Sequence, residues 1–202
     1  MINIRRVKKS DADALLNIYS TYVHTPISFE CDVPSREEFL KRICQISKDY
    51  PYLVCEVDGN IVGYAYANKF KEREAYQWGA ELTVYIDEKY NGKGIGRAFY
   101  NAIINILKLQ NIKTVYALVT KSNTKSDRLH KSLGFSIAGI YHNTGYKLGE
   151  WHDVICFEKT IGHYDAVPEK FKSIREINDQ LIIDICKKNQ DILNSTDINH
   201  RN

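Results

Sequence analysis

Asn91-Gly92-Lys93-Gly94-Ile95-Gly96-Arg97 is the stretch on which the reading of this chain turns. Ahead of it, residues 75–86 read as a strand, and behind it Ile95, Phe99, Ile103, Ile106 and Leu107 recur at helical spacing. A glycine-rich turn between a strand and a helix presents unpaired backbone N–H groups and the positive end of the helix dipole, which together suit an anion. It is not a phosphate-binding P-loop, because no GxxxxGK[ST] runs through it. Nor is it the dinucleotide GxGxxG, because Arg97 or Phe99 stands where the third glycine is required. Taken by itself the turn reads equally well as a flexible connection.

Outward from this turn the pattern extends both ways. Val115-Tyr116-Ala117-Leu118-Val119 is a further strand, so strand, helix and strand make a parallel crossover unit. Upstream, residues 52–57 and 60–67 are strand-like runs joined by Asp58-Gly59, a pair suited to the positive φ angles of a tight hairpin. Gly79 in the long run 75–86 suggests a bulge or bend. Near the start, residues 2–6 read as a strand, and Ser10 reads as the cap of a first helix carrying Leu15, Ile18 and Tyr22. Ser35-Arg36-Glu37-Glu38 matches a capping box ahead of Phe39, Ile43 and Ile46. Between these helices, His24-Thr25-Pro26-Ile27-Ser28-Phe29-Glu30 has no regular period and reads as a loop. Downstream, a short helix at 125–132 ends at Gly134, and strands follow at 135–142 and 154–160. The division predicted is a domain at 1–162 and a helical extension at 163–202. In the extension Phe171, Ile174, Leu181 and Ile185 mark an amphipathic helix, docked on its own domain or contacting a second copy.

Composition narrows the function. The 202 residues, 44% apolar and 11% aromatic, suffice for one folded domain with an appendage. With 28 basic and 25 acidic side chains the net charge is +3, too weak a field to imply nucleic acid. No apolar run approaches a membrane span, and the first residues lack the apolar stretch of a secretory signal, so a soluble, cytoplasmic protein is expected. Five cysteines with no CxxC pair suggest neither a disulfide framework nor a zinc site.

The segment 91–97 resembles the pyrophosphate-binding loop of the GNAT acetyltransferases, [QR]xxGx[GA], with Gly94 and Gly96 at the small positions and Asn91 in place of the usual Gln or Arg. The likeness extends to Tyr76-Gln77-Trp78-Gly79-Ala80-Glu81-Leu82-Thr83-Val84-Tyr85, to residues 123–135 with His130, and to Gly145-Tyr146-Lys147-Leu148-Gly149-Glu150-Trp151-His152-Asp153-Val154. These strings are similar to the phosphinothricin and methionine sulfone acetyltransferase branch and cover about residues 2–160. The fold implied is α/β, the acyl-CoA N-acyltransferase (GNAT) fold, a mixed twisted sheet with a splayed parallel strand pair flanked by helices. The implied activity is acetyl transfer from acetyl-CoA to the amine of a small amino acid or analogue. Rivals are acetylation of protein N-termini or lysines, and a catalytically silent CoA-binding module.

Residue by residue, the resemblance assigns Glu81 as the base that deprotonates the acceptor ammonium. His130 stands where many relatives carry a tyrosine acid, and either protonates the leaving thiolate or lines the CoA channel. The backbone of Val84, Tyr85 and Ile86 would hold the thioester carbonyl. Asn91, Gly92, Lys93, Gly94, Ile95, Gly96 and Arg97 would hold the pyrophosphate, and Asn123 and Ser126 the pantetheine arm. For the acceptor, Arg73 and Lys71 would meet a carboxylate, Phe29 and Tyr76 would wall the side chain, and Glu30 would orient the pocket. Trp151-His152-Asp153 is rejected as a metal site, since neighbours on a strand face opposite ways; it is read as shaping the acceptor pocket. His24, His142, His163 and His200 are assigned no role. A homodimer is expected by the same resemblance.

Overall fold

The computed structural model describes residues 1–195; residues 196–202, and with them His200, lie outside the described residues. Seven strands form one sheet: β1 (Ile2–Arg6), β2 (Tyr52–Val57), β3 (Asn60–Lys69), β4 (Gly79–Ile86), β5 (Thr114–Thr120), β6 (Ser136–Lys147) and β7 (Glu150–Thr160), in the order β1-β2-β3-β4-β5-β7-β6. All neighbours are antiparallel except β4 and β5. That parallel ladder is short. It pairs Gly79 with Thr114, Ala80 with Val115 and Glu81 with Tyr116, and stops there although both strands continue. The two halves of the sheet therefore part beyond Glu81.

Alternation along β4 and β5 fixes the faces. Ala80 and Leu82 join Val115, Ala117 and Val119 in a core beneath α3 (Ile95–Leu109), α4 (Thr124–Ser132) and α5 (Asp179–Ser195). Glu81, Thr83 and Tyr85 point the other way. That side is covered over β2 and β3 by α1 (Ala12–Val23) and α2 (Arg36–Ile46), which bury Tyr52, Val54 and Tyr64. The hairpin at Asp58-Gly59 forms as read, with φ of 50° and 82°.

Several expectations are corrected. Ser10 does not cap the first helix. It lies in a 3-10 turn, Lys9–Asp11, and α1 begins at Ala12. The carboxylate of Asp11 takes the local donor instead, accepting Lys8 N–H at 2.7 Å while it also binds Arg5. Ser35 does cap α2, accepting Glu38 N–H at 3.1 Å, while Glu38 turns its carboxylate to Arg42. Run 75–86 divides into a 3-10 turn, Glu74–Tyr76, and β4. Gly79 opens that strand, and the rings of Phe70 and Tyr116 lie within 3.5 Å of where its Cβ would be. The last two strands are longer than read. In the C-terminal segment Phe171 precedes any helix and stacks on Tyr50, and Leu181 is 47% exposed. The buried face of α5 is Ile182, Cys186 and Leu193, and it packs on α3 and β1 of its own chain. Gln190 and Asn194 accept the N–H groups of Ile4 and Ile2, covering the outer edge of the sheet.

Candidate active site

Where β4 and β5 part, a cavity of about 500 Å³ opens on the side of Glu81. Its walls include Phe29, Glu30, Glu81, Val84, Tyr85, Asn123, Ser126 and His130, so eight residues singled out in three separate stretches meet in one place. The loop 24–30 roofs it. Thr120 on β5 donates to the carbonyl of Pro26 at 2.8 Å, and Tyr19 on α1 is hydrogen-bonded to Ser28 at 2.8 Å.

Glu81 is half-buried, and among the described residues it has no ion-pair partner. Burial pushes its carboxyl pKa up from the ordinary 4.5, because nothing replaces the water lost by the charged form. Such a group is a stronger proton acceptor than an exposed glutamate.

His130 is 1% exposed and held on both sides of its ring. Nδ1 lies 2.7 Å from the carbonyl of Ser126, which only accepts, so that nitrogen carries the proton. Nε2 lies 2.8 Å from the hydroxyl of Tyr100 and in the neutral ring accepts from it. Burial lowers the pKa of the imidazole. Tyr100, a buried α3 residue that also lines the cavity, thus stands between the acceptor nitrogen of His130 and the cavity space. Tyr100 was missed in the sequence, where it sits beside Phe99 in an apolar helical run and looks like core. Its partner is 30 positions away.

The glycine-rich turn leads into α3 as read. Gly92 and Gly94 have φ of 77° and 85°, a region that β-carbons disfavour, and a side chain at Gly94 would press on Leu193 of α5 at 3.3 Å. Ala98 is the first residue of α3 to bond back, to the carbonyl of Gly94, so the amides of Ile95, Gly96 and Arg97 precede the helical ladder. Gly96 instead packs closely on α4: a Cβ there would lie 3.1 Å from the side-chain end of Leu129. Lys93 rests over the ring of Tyr90, and Arg97 donates to Ser132 at 2.9 Å. Asn123 caps α4, accepting Ser126 N–H at 3.1 Å. At Ile86 the backbone exchanges hydrogen bonds with the hydroxyl of Tyr22. A diphosphate with an extended amide-bearing arm fits these features, the former at the helix start and the latter along the parted strands.

Three residues read as acceptor contacts are not brought into this cavity. Lys71 lies 5.1 Å above the ring of Phe70 and 5.0 Å above that of Tyr76. Tyr76 lines a separate cleft with Phe70, Trp78 and Tyr116, and Arg73 lies on the exposed turn before it. His152 and Asp153 diverge: His152 Nε2 lies 3.0 Å from the carbonyl of Lys147, whereas Asp153 meets Lys121, His142 and the amide of Asn143. Among the described residues no three His, Cys, Asp or Glu side chains group to hold a metal ion, and no helix is long and apolar enough to cross a membrane.

Comparison with known proteins fits this geometry. Residues 4–156 match the acetyltransferase (GNAT) domain. The chain is 34% identical over 177 residues to the phosphinothricin N-acetyltransferase of Streptomyces viridochromogenes, covering 87% of this chain and 96% of that one. It is 27% identical to the L-methionine sulfoximine/L-methionine sulfone acetyltransferase of Salmonella typhimurium, over 82% of this chain and 98% of the other. The phosphinothricin acetyltransferase of Sinorhizobium meliloti, solved in complex with AcCoA, superposes with a TM-score of 0.79 at 29% identity, over 83% of this chain and 93% of that one. A sheet parted beside a glycine-rich helix start, matched by a domain profile across three quarters of the sequence, places this chain in the GNAT family of acetyl-CoA-dependent N-acetyltransferases.

Proposed function

We propose that this enzyme acetylates the α-amine of a small amino acid or analogue of the phosphinothricin, methionine sulfone or methionine sulfoximine type. The observation that carries the proposal is Glu81, a half-buried carboxylate without an ion-pair partner among the described residues, facing a cavity roofed by the loop that bears Phe29 and Glu30. Acetyl-CoA supplies an activated thioester when bound; the chain's own residues do the rest. Glu81 takes the proton that keeps the acceptor an ammonium ion, directly or through water. Backbone N–H groups on the edge of β4 that is unpaired with β5 beyond Glu81 would receive the carbonyl oxygen as charge grows on it. Tyr100, which lines the same cavity, would protonate the departing sulfur once its hydroxyl turns from the Nε2 of His130. The roof favours a small acceptor over a peptide, which needs an open groove.

The enzyme is taken to act as a cytosolic homodimer. Support for the dimer comes from large apolar side chains left outside at the β5-β7-β6 end, Leu118, Tyr141, Tyr146 and Trp151, each at least 45% exposed.

The test is release of free thiol from acetyl-CoA with phosphinothricin, methionine sulfone, methionine sulfoximine, common amino acids and short peptides offered in turn. Turnover with the first three supports the reading. Turnover with peptides alone overturns it.

A further inference from the structure

Lys147 belongs to the sequence string Gly145 to Val154, which the mechanism above leaves without a task. It is 7% exposed and lies at the end of β6, yet its ammonium makes no ion pair among the described residues. Its Nζ instead donates to three backbone carbonyls: Val23 at 2.6 Å, Ser28 at 2.5 Å and Glu30 at 2.6 Å. An ammonium has three N–H donors, and here each meets one carbonyl. Val23 closes α1, where the negative end of the helix dipole favours a cation, and Ser28 and Glu30 flank Phe29 in the cavity roof.

The neighbours of Lys147 address the same loop. Gly145 faces Phe29 so closely that a β-carbon there would lie 2.5 Å from its ring. His152 packs against Phe29 with ring centroids 6.2 Å apart, and its Nε2 lies 3.0 Å from the carbonyl of Lys147. These groups reach the loop because β6 bulges: from Tyr141 to Gly145 it advances four positions while β7 moves only from Val154 to His152. Asp153 accepts the amide of Asn143 inside that bulge.

We infer that Lys147 is a positioning residue, an internal cation that ties the loop 24–30 to the end of α1 and so sets Phe29 and Glu30 for the acceptor. The inference rests on the reading of this cavity as the acceptor site. It assigns Gly145, Lys147 and His152 to one device, a latch from the β6–β7 hairpin onto the roof. Among the described residues none of the three has a hydrogen bond or ring contact with the glycine-rich turn, so the latch should act on the acceptor more than on the diphosphate end of acetyl-CoA.

The test is Lys147→Met, which keeps the aliphatic stem and removes the charge and donors. The acceptor KM should rise at least tenfold, the acetyl-CoA KM should stay within twofold, and amide exchange over residues 24–30 should quicken at least tenfold. A folded variant with unchanged acceptor KM and unchanged exchange overturns the inference, as does an equal rise in both KM values, which marks general loosening. If Lys147→Met does not fold, Gly145→Ala decides, since it leaves the lysine in place and drives a methyl group at Phe29. A rise in acceptor KM alone supports the latch, and no change, or an equal rise in both, overturns it. Should the wild type acetylate no amino acid, the acceptor reading falls by itself, while exchange over 24–30 still reports whether Lys147 holds the loop.

Discussion

At the scale of single residues, burial without a counter-ion makes Glu81 both useful and costly. Its raised pKa means that folding prefers the protonated carboxyl, so ionisation destabilises the fold as pH rises through the folded value. Glu81→Gln should therefore raise the melting temperature at pH 7. The gain should vanish well below pH 4.5, where the carboxyl is protonated in both states. The same variant should lose roughly a hundredfold or more in turnover together with the acidic limb of the rate profile. Tyr100→Phe removes the hydroxyl that meets His130, leaving a buried ring nitrogen unpaired at a cost of about 1–3 kcal/mol. Its turnover should fall while calorimetry finds acetyl-CoA affinity within twofold. Glu81 and His130 stood out in the sequence only through resemblance. Neither the burial of one nor the Tyr100 contact of the other leaves a trace in residue spacing, because both arise from packing between distant elements.

Elements carried more of their own signal. Gly94→Ala places a β-carbon at φ of 85°, a strain of about 1–2 kcal/mol, and should weaken acetyl-CoA binding by roughly 5- to 30-fold in calorimetry. Leu193→Ala, at the other side of that contact, should lower stability by about 2–4 kcal/mol in thermal unfolding, as expected for truncating a residue 3% exposed. The Asp58-Gly59 hairpin, the crossover through α3 and the start of α2 were all legible, since each has a local cause in turn chemistry, helical period or capping. The extent of β6 was not. It lies at the sheet edge with both faces largely exposed, so no alternation of apolar and polar residues marks it. The Ser10 cap failed because residues 9–11 close a 3-10 turn first, so that α1 starts at Ala12 with Asp11 and not Ser10 in the cap position. The face of α5 was misread because Phe171 and Ile174 belong to an extended segment and a 3-10 turn, which breaks the helical count.

Across the whole molecule, β1, β2 and the start of α1 are joined by Arg5, which binds Asp11 at 2.7 Å and Glu56 at 2.5 Å. Burial alone would push the Asp11 carboxyl up, yet the Arg5 guanidinium and the Lys8 amide override it and hold it below the ordinary 3.8. Its contribution to stability is thus full at neutral pH and is lost as pH falls below that value. Asp11→Asn should cost about 1–3 kcal/mol in urea unfolding at pH 7, with the difference shrinking towards pH 2. The order of strands followed from the sequence only in part, since the resemblance supplied the splay and no local pattern says where a ladder will stop. Ending it at Glu81 and Tyr116 leaves the remaining lengths of β4 and β5 unpaired with each other in the middle of the sheet. The lengths of β4 and β5 beyond that point would hold the amide-bearing arm of acetyl-CoA, and an arm bonded to both would brace the gap, so that loading the donor should also stiffen the sheet.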